Sequence, residues 1–352
     1  MGKAVSLKIK KVIKVTDDAV SIHFKQPFFK KIKYTPGQFL TLLVNIDKEV
    51  VRRCYSLNSA PDVDDYVSVT VKRIKDGRVS NHLFNNIKEG DKMKVLLPMG
   101  NFTIIPDKNK RRHIVLFGAG SGITPLISIL KSIINKEPSS IVSLIYGNRD
   151  VESIIFNDEL NEYKEKYPNR VNLLHILENP GDFEDCYKGR VERTQVPGLL
   201  RQLPNLPDSD TEYYICGPSG MMIEAEEGLK LSGAPADKIN IEKFSAPPPS
   251  AEETKAAGPM LQNREVTLKL KGKTHEIPVK AGTTILDAAL DEKIKVPYVC
   301  MDGICGTCRA TCTSGEVFMR KGHILTDKEV EEKVILPCIC KPVSNNVVVE
   351  FH

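Results

Sequence analysis

Four cysteines restrict the C-terminal part of this chain more tightly than any other feature of its 352 residues. Cys300, Cys305 and Cys308 stand in PYVCMDGICGTCRATC with the spacing C-x4-C-x2-C, and Cys338 follows in LPCIC. With that spacing four thiolates hold the two irons of a plant-type [2Fe-2S] cluster. Gly303 and Gly306 lie between the ligands, where a missing side chain lets the backbone wrap closely and aim N–H groups at sulfur. Zinc fits less well, because it commonly takes paired C-x2-C knuckles and only one such pair is present. Cys312 and Cys340 exceed a four-ligand set and read as small apolar core residues. A cluster of this type exchanges single electrons at roughly −400 mV and performs no substrate chemistry, so the rest of the chain must supply it.

Composition narrows the setting. No apolar run approaches the ~18 residues of a membrane span. The N-terminal MGKAVSLKIKK lacks the apolar stretch of a secretory signal, so a cytoplasmic protein is expected. There thiol buffers would keep the nine cysteines reduced, which favours a cluster over disulfides. A net charge of +5 without a long Lys/Arg tract argues against nucleic acid as a partner.

Short alternating runs such as VSLKIKKVIKV, QFLTLLVNI and YVSVTVKRI fill the first hundred residues, separated by turn signals such as TPG and KEGD. That pattern predicts an antiparallel β-barrel. From Arg112 onward buried-strand runs alternate with helical spacing: HIVLF, LISILKSIINK, IVSLIYG, FNDELNEYKEKY, VNLLHIL, YYICG. Such alternation predicts a parallel, doubly wound α/β domain. SAPPPSAEETKAAGPM then breaks all periodicity and reads as a linker. Beyond it, VTLKLKGKTHEIPV reads as a hairpin and TTILDAALDEK as a helix capped by Thr283 or Thr284. VVVEFH closes the chain as a strand. The expected modules are 1–108, 109–244 and 262–352, with 245–261 as the linker.

In the first module Arg53, Tyr55 and Ser56 form R-x-Y-S. An arginine can clamp a pyrophosphate, an aromatic ring can cover a flavin face, and a hydroxyl can reach flavin N5, although the same segment is also an ordinary strand. In DGRVSNHL, Gly77 and Ser80 can offer backbone and hydroxyl donors to phosphate. In the second module GAGSGITP follows a strand, and Gly118, Gly120 and Gly122 permit close approach of a pyrophosphate. Thr124 is placed to cap, and Pro125 to begin, the helix whose N-terminus favours an anion. Ile123 departs from the usual G-x-G-x-x-G. In YGNRD, Arg149 leans toward a 2′-phosphate and NADPH, while Asp150 keeps NADH open. Cys216, with Gly217 and Pro218, either lines a nicotinamide pocket or packs as a buried cysteine.

Taken in order, R-x-Y-S, G-x-G-x-G-x-T-P, C-G-P and the four cysteines resemble the ferredoxin–NADP+ reductase superfamily. Within it the likeness is to reductases that carry a C-terminal plant-type ferredoxin domain of β-grasp fold. The resemblance implies FAD held through Arg53, Tyr55, Ser56, Val71, Val79 and Ser80, with FMN as the alternative used by phthalate-type relatives. It implies a reduced nicotinamide near Thr124 and Cys216, its phosphates near Gly120 and Gly122. Ser56 and Cys216 stand at the expected centre of hydride transfer, and Glu242 or Phe244 against the flavin ring. The implied partner is an oxygenase component of di-iron type, as in phenylacetyl-CoA epoxidation, with a desaturase or steroid hydroxylase as the alternative. A redox-sensing module is the reading from another class, and it leaves the flavin and nucleotide motifs without a purpose.

Overall fold

Alternation in the first hundred residues becomes six strands, β1 (Ala4–Thr16), β2 (Ala19–Lys25), β3 (Phe39–Ile46), β4 (Glu49–Ser56), β5 (Tyr66–Lys72) and β6 (Lys92–Met99), in a computed structural model that describes residues 4–28, 31–204, 211–244 and 262–351. The strands form one antiparallel sheet in the order β4-β3-β6-β1-β2-β5. A bridge between Leu57, just past β4, and Val69 of β5 joins the two edges into a barrel. Long β1 can serve two neighbours because it breaks register between Ile9 and Lys11 and again between Lys14 and Thr16. Such bulges bend a strand at a barrel corner. Leu7, Ile9, Ile22, Phe24, Leu40, Leu42 and Val69 fill the interior. A helix that alternation does not foretell, α1 (Arg78–Asn86), packs Val79 and Leu83 against them.

The residues after Arg112 build a parallel sheet from β7 (His113–Ala119), β8 (Ile141–Asn148), β9 (Val171–Leu177), β10 (Cys186–Lys188), β11 (Thr211–Cys216) and β12 (Ile239–Glu242), ordered β10-β9-β8-β7-β11-β12. The helices are α2 (Ile123–Lys136), α3 (Asn157–Lys166), α4 (Val196–Leu200) and α5 (Ser219–Leu231). Two apolar clusters of this sheet include Leu116 and Tyr146 in one and Phe117 and Ile215 in the other. Chain order reverses between β7 and β11, and doubly wound folds bind ligands in the crevice beyond that point. Helix α2 is buried almost all round because it lies between its sheet and the barrel; Ala19, Phe102 and Ile104 share its core.

The chain divides into two compact units, Lys3–Lys243 and the part from Phe244 to His352. Barrel and parallel sheet together make the first. The second contains β13 (Arg264–Leu270), β14 (Lys273–Val279), α6 (Ile285–Asp291), β15 (Ala310–Ser314), β16 (Val317–Met319), α7 (Asp327–Glu331), β17 (Val334–Ile335), β18 (Cys340–Pro342) and β19 (Val347–Phe351). Its main sheet runs β14-β13-β19-β15-β17, with β13 and β19 parallel, and β16 pairs with β18. Thr284 is the cap of α6, its hydroxyl accepting from Asp287 N at 3.1 Å. Residues 245–261, expected as the linker, lie outside the described residues. Among the described residues no helix is long and apolar enough to cross a membrane.

Candidate functional site

Helices α2 and α5 start directly beyond β7 and β11, at the reversal point, and neither N-terminus has a side-chain cap. Their positive dipole ends suit a phosphate, although the first N–H of α2, on Ile123, already donates to Gly120 O within the preceding turn. The two loops touch so closely that a Cβ on Gly122 would stand 2.0 Å from the Cys216 carbonyl oxygen, so only glycine fits. Gly120 is held from below: the hydroxyl of fully buried Tyr146 donates to its carbonyl at 2.8 Å. The sequence motif did not point to this support. It did place Thr124 as the helix cap, and that is corrected. A 3-10 turn, Gly120–Gly122, runs into α2 at Ile123, so Thr124 falls inside the first turn and its hydroxyl donates back to Ser121 O at 3.0 Å. Pro125 is therefore third in the helix rather than first, a position where its missing N–H still costs nothing. Ile123, the departure from the usual fingerprint, is completely buried in the core under α2.

Cys216 ends β11 and is opposite Glu242 at the end of β12. Across from them Ser56, at the end of β4, donates to Glu242 Oε2 at 3.3 Å. Ser56, Cys216 and Glu242 thus meet although they come from three strands of two sheets. Burial pushes the Glu242 carboxyl up to about 8, against a smaller opposing pull from Ser56. Burial also pushes the Cys216 thiol well up, with Glu242 adding to it, so this sulfur is a neutral thiol rather than a nucleophile. Tyr55 is half-buried and its phenol is likewise raised by burial. Arg53 is exposed, its guanidinium donating to the adjacent Arg52 carbonyl at 2.7 Å.

The remaining expected contacts fall on backbone. Val71 and Val79 are in the barrel core, so only their main chain can face a ligand. Ser80 Oγ accepts from Ile74 N at 3.1 Å and lies 3.4 Å from Gly77 O, which uses the hydroxyl within its own turn. Gly77 precedes α1, again without a side-chain cap, leaving N–H groups for an anion. Arg149 projects from the end of β8 and is 62% exposed. Asp150 is occupied differently: its carboxylate caps the turn Val151–Ser153, accepting from Ser153 N at 2.9 Å. Gly217 and Pro218 lead from β11 into α5. Phe244 is exposed at the first residue of the second unit. An uncapped helix end beside each glycine turn and an exposed guanidinium on the barrel are a donor set that fits a dinucleotide flavin and a pyridine nucleotide.

In the second unit the four cysteines converge. Cys308 and Cys338 sulfurs are 3.3 Å apart, and Asp302 N donates to Cys300 Sγ at 3.4 Å. The Cys305 and Cys338 thiols beside Cys300, with backbone N–H groups, hold its sulfur low in the thiol range. Cys305 Sγ lies 3.3 Å from Thr307 Oγ1. Gly303 has φ +74°, a left-handed conformation that favours glycine, and a Cβ there would stand 2.6 Å from Ile339 Cδ1. Two thiolates per iron is what a binuclear cluster requires. Cys312 and Cys340 lie in the core of this unit, with the Cys312 thiol against Ser314 O at 3.3 Å.

A barrel, a nucleotide-type sheet and a four-cysteine loop in one chain define a flavin and iron–sulfur oxidoreductase. Residues 6–104 match the oxidoreductase FAD-binding domain, 116–227 the oxidoreductase NAD-binding domain and 268–343 the 2Fe-2S iron-sulfur cluster binding domain. The chain is 35% identical over 349 residues to a component of the 1,2-phenylacetyl-CoA epoxidase of Escherichia coli K12, covering 98% of this chain and 97% of that one. It is 37% identical over 359 residues to the ferredoxin reductase component of the 3-ketosteroid-9-alpha-monooxygenase of Mycolicibacterium smegmatis, covering 98% and 96%. Phthalate dioxygenase reductase has the same fold, with a TM-score of 0.69 and 25% identity over 99% of this chain and 98% of that one. The chain belongs to the family of ferredoxin–NADP+ reductase-type electron-transfer reductases with a C-terminal plant-type [2Fe-2S] domain, the reductase components of oxygenases.

Proposed function

We propose that this chain is the NADPH-dependent reductase of a di-iron oxygenase, and that its partner is of the phenylacetyl-CoA epoxidase kind. In that reading FAD, held through Arg53, Tyr55 and Ser56, would supply the exchange from a two-electron hydride donor to single electrons, and a [2Fe-2S] cluster, held by Cys300, Cys305, Cys308 and Cys338, would supply one-electron transfer toward the oxygenase. The observation that carries the order of transfer is the meeting of Ser56, Cys216 and Glu242 at the reversal point, apart in sequence from the cysteine loop.

The chain's own groups divide the work. Arg53 and the N–H groups after Gly77 bind and orient the flavin phosphates, while Tyr55 covers its ring. The uncapped starts of α2 and α5, with Gly120, Gly122, Thr124 and Gly217, seat the coenzyme pyrophosphate. Cys216 presents a neutral, apolar thiol that excludes water from the reacting carbon. Ser56 Oγ and Glu242 Oε2 hold a proton between them, and a carboxyl raised to about 8 keeps that proton available at neutral pH. Cys300, Cys305, Cys308 and Cys338 bind the cluster. Arg149 favours NADPH, because Asp150 is occupied in its cap. Residues 1–108, 109–244 and 262–352 act as the three modules, in the cytoplasm, with 245–261 tethering the last.

Relatives at similar identity serve a steroid monooxygenase and, at 32% identity in Pseudomonas aeruginosa, a glycine betaine monooxygenase, so the rival reading is another oxygenase. Reconstitution with each oxygenase and its substrate tests both. NADPH-dependent epoxidation of phenylacetyl-CoA is expected, with the other pairs inactive; the converse result assigns the partner elsewhere. Cys305→Ser should abolish transfer to the oxygenase yet retain NADPH oxidation by ferricyanide. Loss of both activities in a folded, FAD-bound variant would reject the order of transfer.

A further inference from the structure

We propose that Asp18, a barrel residue outside every motif above, sets the choice between NADPH and NADH; this deepens the coenzyme reading and rests on it. Asp18 sits in the turn between β1 and β2 at the edge of the crevice. Three contacts fix it there. Arg73 N donates to its carbonyl at 2.7 Å, tying the turn to the end of β5. Thr16 Oγ1 donates to Asp18 Oδ1 at 2.8 Å, which orients the carboxylate and leaves Oδ2 free. Oδ2 then faces two cations: Lys72 Nζ at 3.6 Å and Arg149 Nη2 at 3.5 Å.

Those two cations hold the positions that matter for a dinucleotide. Lys72 Nζ would lie 3.7 Å from a Cβ on Gly120, so the ammonium stands over the glycine turn. Arg149 follows β8, the second strand of the parallel sheet, where a doubly wound fold distinguishes a ribose 2′-hydroxyl from a 2′-phosphate. The acid adjacent in sequence, Asp150, is turned into its own cap and has no part in the decision. The carboxylate that faces Arg149 comes instead from the other sheet of the same unit.

The charge argument follows directly. A 2′-phosphate needs Arg149 and is repelled by Asp18, whereas a 2′-hydroxyl can donate to a carboxylate and loses nothing by its presence. Asp18 therefore restrains the preference that Arg149 creates and keeps NADH usable. Lys72, facing the pyrophosphate turn common to both coenzymes, is not discriminating.

The experiment measures kcat/KM for NADPH and NADH with ferricyanide as acceptor, on the FAD-loaded full chain. Asp18→Asn should raise the NADPH/NADH ratio on the order of tenfold at low ionic strength, through KM for NADPH, with the gain shrinking in salt. Arg149→Ala should lower the ratio by a similar factor, and in its background Asp18→Asn should no longer raise it. Asp18→Glu, which keeps the charge, should retain the wild-type ratio. A ratio in Asp18→Asn within twofold of wild type, in protein with unchanged flavin absorbance and melting temperature, overturns the inference. So does a gain that persists undiminished beside Arg149→Ala. A wild type that oxidises neither coenzyme overturns the reductase reading itself, a result separate from an unmoved ratio.

Discussion

Tyr146 shows how much of the nucleotide turn rests on one hydroxyl that no glycine motif records. Its ring is completely buried and its O–H meets Gly120 O at 2.8 Å, with burial pushing the phenol far above its ordinary range. Tyr146→Phe keeps the packing and removes only the donor. The loss of one buried hydrogen bond costs about 1 kcal/mol of stability. Because the bond holds the turn rather than the reacting atoms, KM for the coenzyme should rise a few-fold while kcat stays constant; a fall in kcat alone would refute the assignment. The iron–sulfur domain was legible in the sequence because its pattern is local: Cys300, Cys305 and Cys308 fall within nine positions. Tyr146 and Gly120 are 26 residues apart, and Ser56 and Glu242 are 186 apart. Only the folded sheets bring such pairs together. The cap that Asp150 makes is local, because a short carboxylate near a turn is drawn to the nearest backbone N–H.

Among the elements, α2 and β12 each carry an ionisable group whose setting periodicity does not announce. Apolar spacing predicts α2 correctly, yet Lys131 sits in it at 4% side-chain exposure, against Asp64 and Glu159 at 2.8 Å each. Burial alone would discharge this ammonium, but the two carboxylates outweigh it and hold the charge. The ion triad, together with Ser128 Oγ donating to Ser59 O at 2.6 Å, joins the helix to the barrel loop and α3, so the crevice has a fixed wall. In β12 the short strand delivers Glu242 to the site with its carboxyl raised from 4.5 to about 8. Between those values the folded chain keeps a proton that the unfolded chain has released, so stability is greatest near the lower limit and declines as pH rises toward 8. In flavin-free protein the decline should amount to no more than about 4 kcal/mol, and Glu242→Gln should flatten it. Denaturant unfolding at pH 5, 6.5 and 8 measures this; an equal slope in the variant would show that Glu242 is not the source. The barrel strands were readable from their short β-rich runs between turn signals, whereas α1 was not, since RVSNHLFNN follows a glycine and carries few apolar residues.

At the scale of the molecule the cores are separate. Leu7, Leu42, Leu116, Phe117 and their neighbours stabilise the first unit, and Val266, Leu286, Val349 and the buried cysteines Cys308 and Cys338 stabilise the second. Cofactor energy must be divided in the same way. Ligation by thiolates is folding free energy for the unit that contains them, because the unfolded chain offers no assembled set of ligands. Flavin and coenzyme binding stabilise only the first unit, by about 2.7 kcal/mol when the free ligand is at a hundred times its dissociation constant. Calorimetry of the holoprotein should therefore resolve two transitions. Removal of the cluster by acid and chelator should lower one of them and abolish the visible iron–sulfur bands, with the flavin-linked transition unmoved. Added FAD should raise only the other. A single transition that responds to both treatments would mean that the two cores unfold as one cooperative body, and the modular division of labour between hydride entry and electron exit would have to be given up.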